Sequence, residues 1–164
     1  RQALWKRLNN LKRLDLLSSP PFIVCSTCGN RHIAPYADYC CICGRQLNDS
    51  ENGVATFDYL DGYHLDSSYR LTQCPICNNE EFSPKALYCR ICGMQLYNFC
   101  TGWLHEQCYN LNPSNARFCK SCGSPTLFYS HGLLTDWQQA KKDYYENLLM
   151  EDKVDYFFKM EVLK

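Results

Sequence analysis

Hydrophobic positions recur with helical spacing at both ends of the chain and lose that period in between. Near the start, Leu4, Leu8 and Leu11 share one helical face with Leu14 at its edge, while Lys6, Arg7, Lys12 and Arg13 lie largely elsewhere. This pattern predicts a basic amphipathic helix over 1–21, stopped by Ser18-Ser19-Pro20-Pro21. Such a helix either packs on the rest of its own chain or docks on a protein partner or nucleic acid, in which case the helix and the ribbons together would make a nucleic-acid-binding adaptor. Toward the other end, TLFYSHGLL after Pro125 is rich in β-formers and breaks at Gly132. Thr135 with Gln138 three residues later reads as a capping box that opens a helix, and Trp137, Ala140, Tyr144 and Leu148 fall on its apolar face. The tail VDYFFKMEVLK fits a strand or a second short helix, and its weak alternation does not separate the two. A C-terminal helical segment is therefore expected over 131–164.

Between these ends, residues 49–72 are polar and acidic yet carry Phe57, Tyr59, Leu60, Tyr63 and Leu65. A simple linker has no use for those side chains, so a short helix or strand that packs between its neighbours is expected.

The rest of the middle is organised by cysteine, 13 in 164 residues, far more than an ordinary fold uses. From Cys74 to Leu96, CPICNNEEFSPKALYCRICGMQL sets two Cys-x-x-Cys pairs with eleven residues between Cys77 and Cys89. Each pair suits a tight knuckle that turns two sulfurs to one side, and the intervening residues suit a short hairpin that brings the second pair back. Four thiolates then meet one tetrahedral Zn²⁺. The same text stands earlier, from Cys25 to Leu47, without a gap at an offset of 49. Asn30, Pro35, Ala37, Tyr39, Ile42, Gly44, Gln46 and Leu47 match Asn79, Pro84, Ala86, Tyr88, Ile91, Gly93, Gln95 and Leu96. A third, more divergent copy runs from Cys108 to Gly123 and keeps Pro113, Ala116, Phe118 and the Cys119/Cys122 knuckle. In all three an aromatic precedes the third ligand, where it can cover the metal, and a glycine follows the fourth, where it permits the backbone turn.

These repeats define the expected ligands: Cys25, Cys28, Cys40 and Cys43 for the first ion, and Cys74, Cys77, Cys89 and Cys92 for the second. Cys41 is the odd cysteine; Cys40 alone has the two-residue gap to Cys43, so Cys41 is expected to pack as a small apolar residue. His32 and His64 have no ligand spacing and are expected to stay outside the sites. In the third copy Cys108, Cys119 and Cys122 need one more ligand, and NFCTGWLHEQC offers two. His105 restores the two-residue knuckle. Cys100 keeps the all-thiolate chemistry at the cost of a seven-residue excursion, and it is preferred because structural zinc sites are commonly built from four cysteines; His105 stays as the alternative.

The pattern CxxC…YCxICGxQL, twice, followed by Asn-Pro-x-x-Ala-Arg-Phe-Cys-x-x-Cys-Gly, resembles the double zinc ribbon family of bacterial and archaeal proteins over about residues 25–130. That resemblance implies structural zinc and ribbons that act as interaction modules. The third copy, read through His105, is also similar to the Ran-binding-protein type zinc finger, which implies single-stranded RNA or ubiquitin recognition. Tyr109-Asn110 stands where the ubiquitin-binding variety has Thr-Phe. The expected architecture is a small metal-stabilised chain, a tandem array of three zinc ribbons built as short β-hairpins at 22–48, 73–97 and 98–130, flanked by the N- and C-terminal helices.

Charge changes the choice of partner. The chain is formally neutral, with 17 Lys and Arg against 17 Asp and Glu. Zinc ligands are deprotonated, however, so twelve thiolates around three divalent ions add six negative charges. Between Cys25 and Ser130 seven Lys and Arg face nine Asp and Glu, which leaves the loaded region near −8. A phosphate backbone is a poor partner for that surface, and only the first helix is basic. The 23 aromatics favour a protein partner instead. Closed four-cysteine sites leave no open coordination position, and no nucleophile set or phosphate loop is legible, so neither catalysis nor a small-molecule substrate is expected. Thioredoxin-like redox motifs occur singly, unlike these. With no signal peptide or membrane span legible, a reducing, cytoplasmic location is expected.

Overall fold

A computed structural model describes residues 23–34, 36–47, 53, 57–102 and 108–162, the last twelve of these by their backbone alone. The basic helix expected over 1–21, Trp103 and His105 lie outside the described residues. Among those described are two helices, α1 (Leu127–Ser130) and α2 (Trp137–Val162). No helix there is long and apolar enough to cross a membrane.

The cysteine repeat folds three times in one register. In each copy the third cysteine's amide bonds the carbonyl five residues on: Cys40 to Arg45 at 2.8 Å, Cys89 to Met94 at 2.7 Å and Cys119 to Ser124 at 2.8 Å. The following glycine turns back on the same cysteine, with Gly44, Gly93 and Gly123 bonded to Cys40, Cys89 and Cys119. Their φ values of 73°, 74° and 71° are why glycine stands there. Each hairpin is reduced to a single antiparallel bridge, Tyr39 with Gln46, Tyr88 with Gln95 and Phe118 with Pro125, because the knuckle constrains most of its length. The third copy departs at its upstream turn. Ala116 bonds Pro113 as Ala37 bonds Ala34 and Ala86 bonds Ser83, so Pro113 opens the turn and is one residue out of register with Pro84.

Copies one and three pair directly and reciprocally. The amides of Asp38 and Tyr39 both donate to Lys120, each at 2.9 Å, and those of Arg117 and Phe118 donate to Cys41 at 2.8 and 3.0 Å. The aromatic before the third cysteine therefore serves a different purpose from the expected one. Phe118 lies against Gly44, with ring carbons 2.8 Å from where a Cβ would stand, and Tyr39 lies against Gly123 with a ring carbon at 2.7 Å. Each ring fills the space above the other copy's glycine.

Residues 57–72 form neither the expected helix nor a strand. They run as extended chain that serves both sides of the molecule. Tyr59 is buried against Cys25, Cys28, Cys40 and Ile42, and its hydroxyl donates to the Cys28 carbonyl at 2.9 Å. Leu71 is buried with Cys74, Cys89, Leu96, Phe128 and Leu134. A tight turn between Leu65 and Leu71 is held by Asp66, whose carboxylate accepts the Ser68 and Arg70 amides. These amides and the Arg70 guanidinium hold the Asp66 pKa below its ordinary value. Arg117, fully buried, ties this segment to the third copy by pairing with Asp61 and donating to the carbonyls of Thr135 and Asn115.

The joint between copies two and three is pinned by buried Asn98, which donates to the Pro113 and Ala116 carbonyls and accepts the Phe128 amide at 3.0 Å. That last bond caps α1, and it explains why TLFYSHGLL, rich in β-formers, forms a helical turn. Tertiary partners override propensity: the Leu127 amide goes to Phe99, and Phe128 is buried. Gly132, at φ 70°, then ends the turn in a Schellman arrangement, with the Leu133 amide on Phe128 and its own on Tyr129.

The cap of α2 is Asp136 rather than Thr135. Its carboxylate accepts the Gln138 amide at 2.8 Å and its carbonyl accepts Ala140, while the Thr135 carbonyl is taken by Arg117. Aspartate at this position also complements the helix dipole. The tail continues the same helix to Val162, neither strand nor separate helix. Trp137 packs on the first copy's core, and Tyr144 meets Phe57 edge to face at 5.0 Å.

Gly44→Ala and Gly93→Ala share the same backbone strain, about 1–2 kcal/mol. Only Gly44 also meets a ring, whose displacement adds about 1–3 kcal/mol. Urea midpoints of the zinc-loaded variants should place Gly44→Ala clearly below Gly93→Ala. Equal midpoints would mean that the pairing of copies one and three contributes little.

Candidate metal centres

The knuckles converge on three points. Cys25, Cys28, Cys40 and Cys43 form one group, Cys74, Cys77, Cys89 and Cys92 a second, and Cys100, Cys108, Cys119 and Cys122 a third, with the sulfurs of each group within 4.8 Å of one another. One pairing recurs in all three copies, first with fourth and second with third. The pairs are Cys25–Cys43 and Cys28–Cys40 at 3.6 Å, Cys74–Cys92 at 3.4 Å, Cys77–Cys89 at 3.5 Å, Cys100–Cys122 at 3.5 Å and Cys108–Cys119 at 3.7 Å. A disulfide would bring sulfurs to about 2.05 Å. Four sulfurs placed tetrahedrally about 2.3 Å from one ion lie about 3.8 Å apart, so the donor set and its spacing suit Zn²⁺.

The local backbone explains the convergence. Cys25 and Cys74 bond the carbonyls of Asn30 and Asn79, five residues on, and Gly29 and Asn78 take the left-handed turn at φ 75° and 57°. In the third copy the Cys100 amide bonds the Asn110 carbonyl at 2.9 Å. Asn110 lies two residues beyond Cys108, as Asn30 lies beyond Cys28 and Asn79 beyond Cys77. The frame of the first knuckle is thus kept although seven residues separate Cys100 from Cys108. Gly102 stands at φ 69°, and its amide faces the Cys100 sulfur at 3.3 Å.

These asparagines also supply donors that the cysteine pattern alone does not disclose. The Asn30 and Asn79 carboxamides lie 3.7 and 3.8 Å from the Cys40 and Cys89 sulfurs, and that of Asn110 lies 3.5 Å from Cys108. Donors aimed at sulfur stabilise thiolate. At Cys89 the Cys92 amide, acting against desolvation and with the Ile91 amide, lowers the pKa to about 6. The available signal was the Cys-x-Asn spacing that places Asn30, Asn79 and Asn110 two residues after Cys28, Cys77 and Cys108.

Cys41 stands outside the first group. It is half-buried against that copy's core, and burial pushes its thiol up to about 12, the behaviour of an apolar packing residue. His32 is exposed, with Nε2 3.1 Å from Asp58, and the His64 carbonyl accepts the Thr72 amide; neither joins a sulfur group. No family model, curated protein or solved structure matches this chain.

Metal content per chain tests the ligand assignment. Cys40→Ser should lose about one zinc and Cys41→Ser none; Cys100→Ser should lose about one and His105→Ala none. Loss of zinc in His105→Ala with full retention in Cys100→Ser would move the third site onto histidine.

Proposed function

We propose that each sulfur group holds one structural Zn²⁺ in a ribbon-like module, and that the loaded chain serves as a non-catalytic protein-interaction or assembly module of a larger, cytoplasmic complex. The observation that carries this reading is the closure of the sites. Each consists of four cysteines without histidine or carboxylate among the described residues, and most of the sulfur-bearing residues are buried. A zinc ion with four thiolates has no position left for water or substrate, so its contribution is to folding.

The surface supports a protein partner. Tyr36, Leu60, Tyr109, Ile91 and Leu149 are among the large apolar side chains that stand more than half exposed. Nucleic-acid binding is the weaker rival. Arg117, which an RNA-binding reading of the third copy would use, is buried and ion-paired with Asp61. The loaded region near −8 opposes phosphate, which leaves Lys6, Arg7, Lys12 and Arg13 as the concentrated basic group.

Fluorescence anisotropy with random duplex DNA and single-stranded RNA at about 0.15 M salt separates the two readings. The zinc-loaded chain should show no binding in the micromolar range, and any weak binding at lower salt should vanish on charge reversal of Lys6, Arg7, Lys12 and Arg13. Micromolar or tighter binding that survives the reversal and falls steeply with salt would replace the module reading with the nucleic-acid one.

A further inference from the structure

Copies one and three use a defined edge to pair, and copy two presents the same edge with nothing on it among the described residues. Counted from the third cysteine, that edge consists of the two preceding amides, the following carbonyl, the preceding aromatic ring and the knuckle glycine. In copy two these are the amides of Leu87 and Tyr88, the carbonyl of Arg90, the Tyr88 ring and Gly93. Among the described residues neither amide nor the Arg90 carbonyl has a backbone hydrogen-bond partner. No atom lies within 4 Å of the Cβ position of Gly93, whereas rings occupy that space at Gly44 and Gly123.

Apart from Arg90, the side chains of this edge are apolar. Where copies one and three carry Asp38 and Arg117, copy two carries Leu87, 51% exposed, beside Tyr88 at 56%. Ile91 is 64% exposed, while its counterpart Ile42 is 1% exposed. An unpaired edge normally carries charge or proline that discourages association; the one charge on this edge, Arg90, is paired with Glu81.

We propose that this edge pairs with the same edge of a second copy of the chain about a two-fold axis, reproducing between chains the pairing that copies one and three make within one chain. The occupant follows from the reciprocity of the internal pairing. Each side gives two amides and a ring and receives them on a carbonyl and a glycine, so a surface holding all of these is complementary to itself, as a two-fold interface requires. Arg90, which would approach its equivalent, is ion-paired with Glu81 at 2.7 Å, so two uncompensated cations do not meet. The pairing specifies one partner for the interaction module and rests on that reading.

Sedimentation equilibrium of the zinc-loaded full chain over about 1–100 μM tests it, the range in which a small specific interface associates. The expected result is twice the chain mass, reduced to the chain mass in the double variant Leu87→Lys, Tyr88→Lys, with metal content unchanged and dimer retained in the control Tyr109→Lys. If the double variant loses zinc, a photoreactive benzoylphenylalanine at position 87 gives the second readout: a cross-linked dimer, with none from the same probe at position 109. A wild-type chain that stays at the chain mass overturns self-pairing, as does a dimer that survives the double variant with its zinc intact or a chain that does not cross-link from position 87. A monomer that retains proteins from a lysate would leave the module reading standing without self-pairing. A dimer with steeply salt-dependent nucleic-acid binding would do the reverse.

Discussion

Everything described in this chain depends on twelve thiols being held at three points. Among the described residues, eight of the fifteen buried apolar residues are cysteines, so the core there is largely the sulfur groups themselves. Antiparallel contacts among them are single bridges, and outside α1 and α2 the backbone is turns and extended chain. Small chains with little buried hydrocarbon commonly hold their fold through metal ligation, and the proposed zinc sites would make metal binding and folding of this chain one equilibrium.

Given three fixed points, the remaining interactions join them. Copies one and three are locked by matched hydrogen bonds and by rings seated on glycines. Copy two is attached through Leu71 and Leu96 to Phe128 of α1, and through Asn98 to the turn of copy three. The acidic segment before copy two is the strap that crosses all three, with Tyr59 on the first copy, Asp61 on Arg117 of the third and Tyr63 bonded to the Leu133 carbonyl. Among the described residues this arrangement leaves one edge of copy two uncovered, and that edge is the one for which self-pairing is proposed.

The sulfur groups were legible because ligand spacing is local chemistry: a Cys-x-x-Cys knuckle followed by glycine leaves the backbone few choices, and the offset of 49 repeats those choices. Local rules also favoured Cys100 through its chemistry, although the supporting Asn110 bond spans a loop that spacing alone cannot close. What sequence did not disclose is non-local. The aromatics before Cys40 and Cys119 were read as metal covers, yet their partners lie about 80 residues away. TLFYSHGLL reads as rich in β-formers because Asn98, which supplies the cap of its helical turn, is distant in the chain. The capping box at Thr135 failed by one residue because Asp136 makes the same bond with a full charge, and Pro113 slipped because the third copy spaces its turn differently.

Zinc-edge X-ray absorption on the purified chain, combined with its metal content, tests the central claim most directly. Three zinc ions per chain, each with four sulfur neighbours at about 2.3 Å and no imidazole signature, is the expected result. Fewer than three ions, or oxygen and nitrogen in the coordination shell, would contradict closed thiolate sites as the basis of the fold.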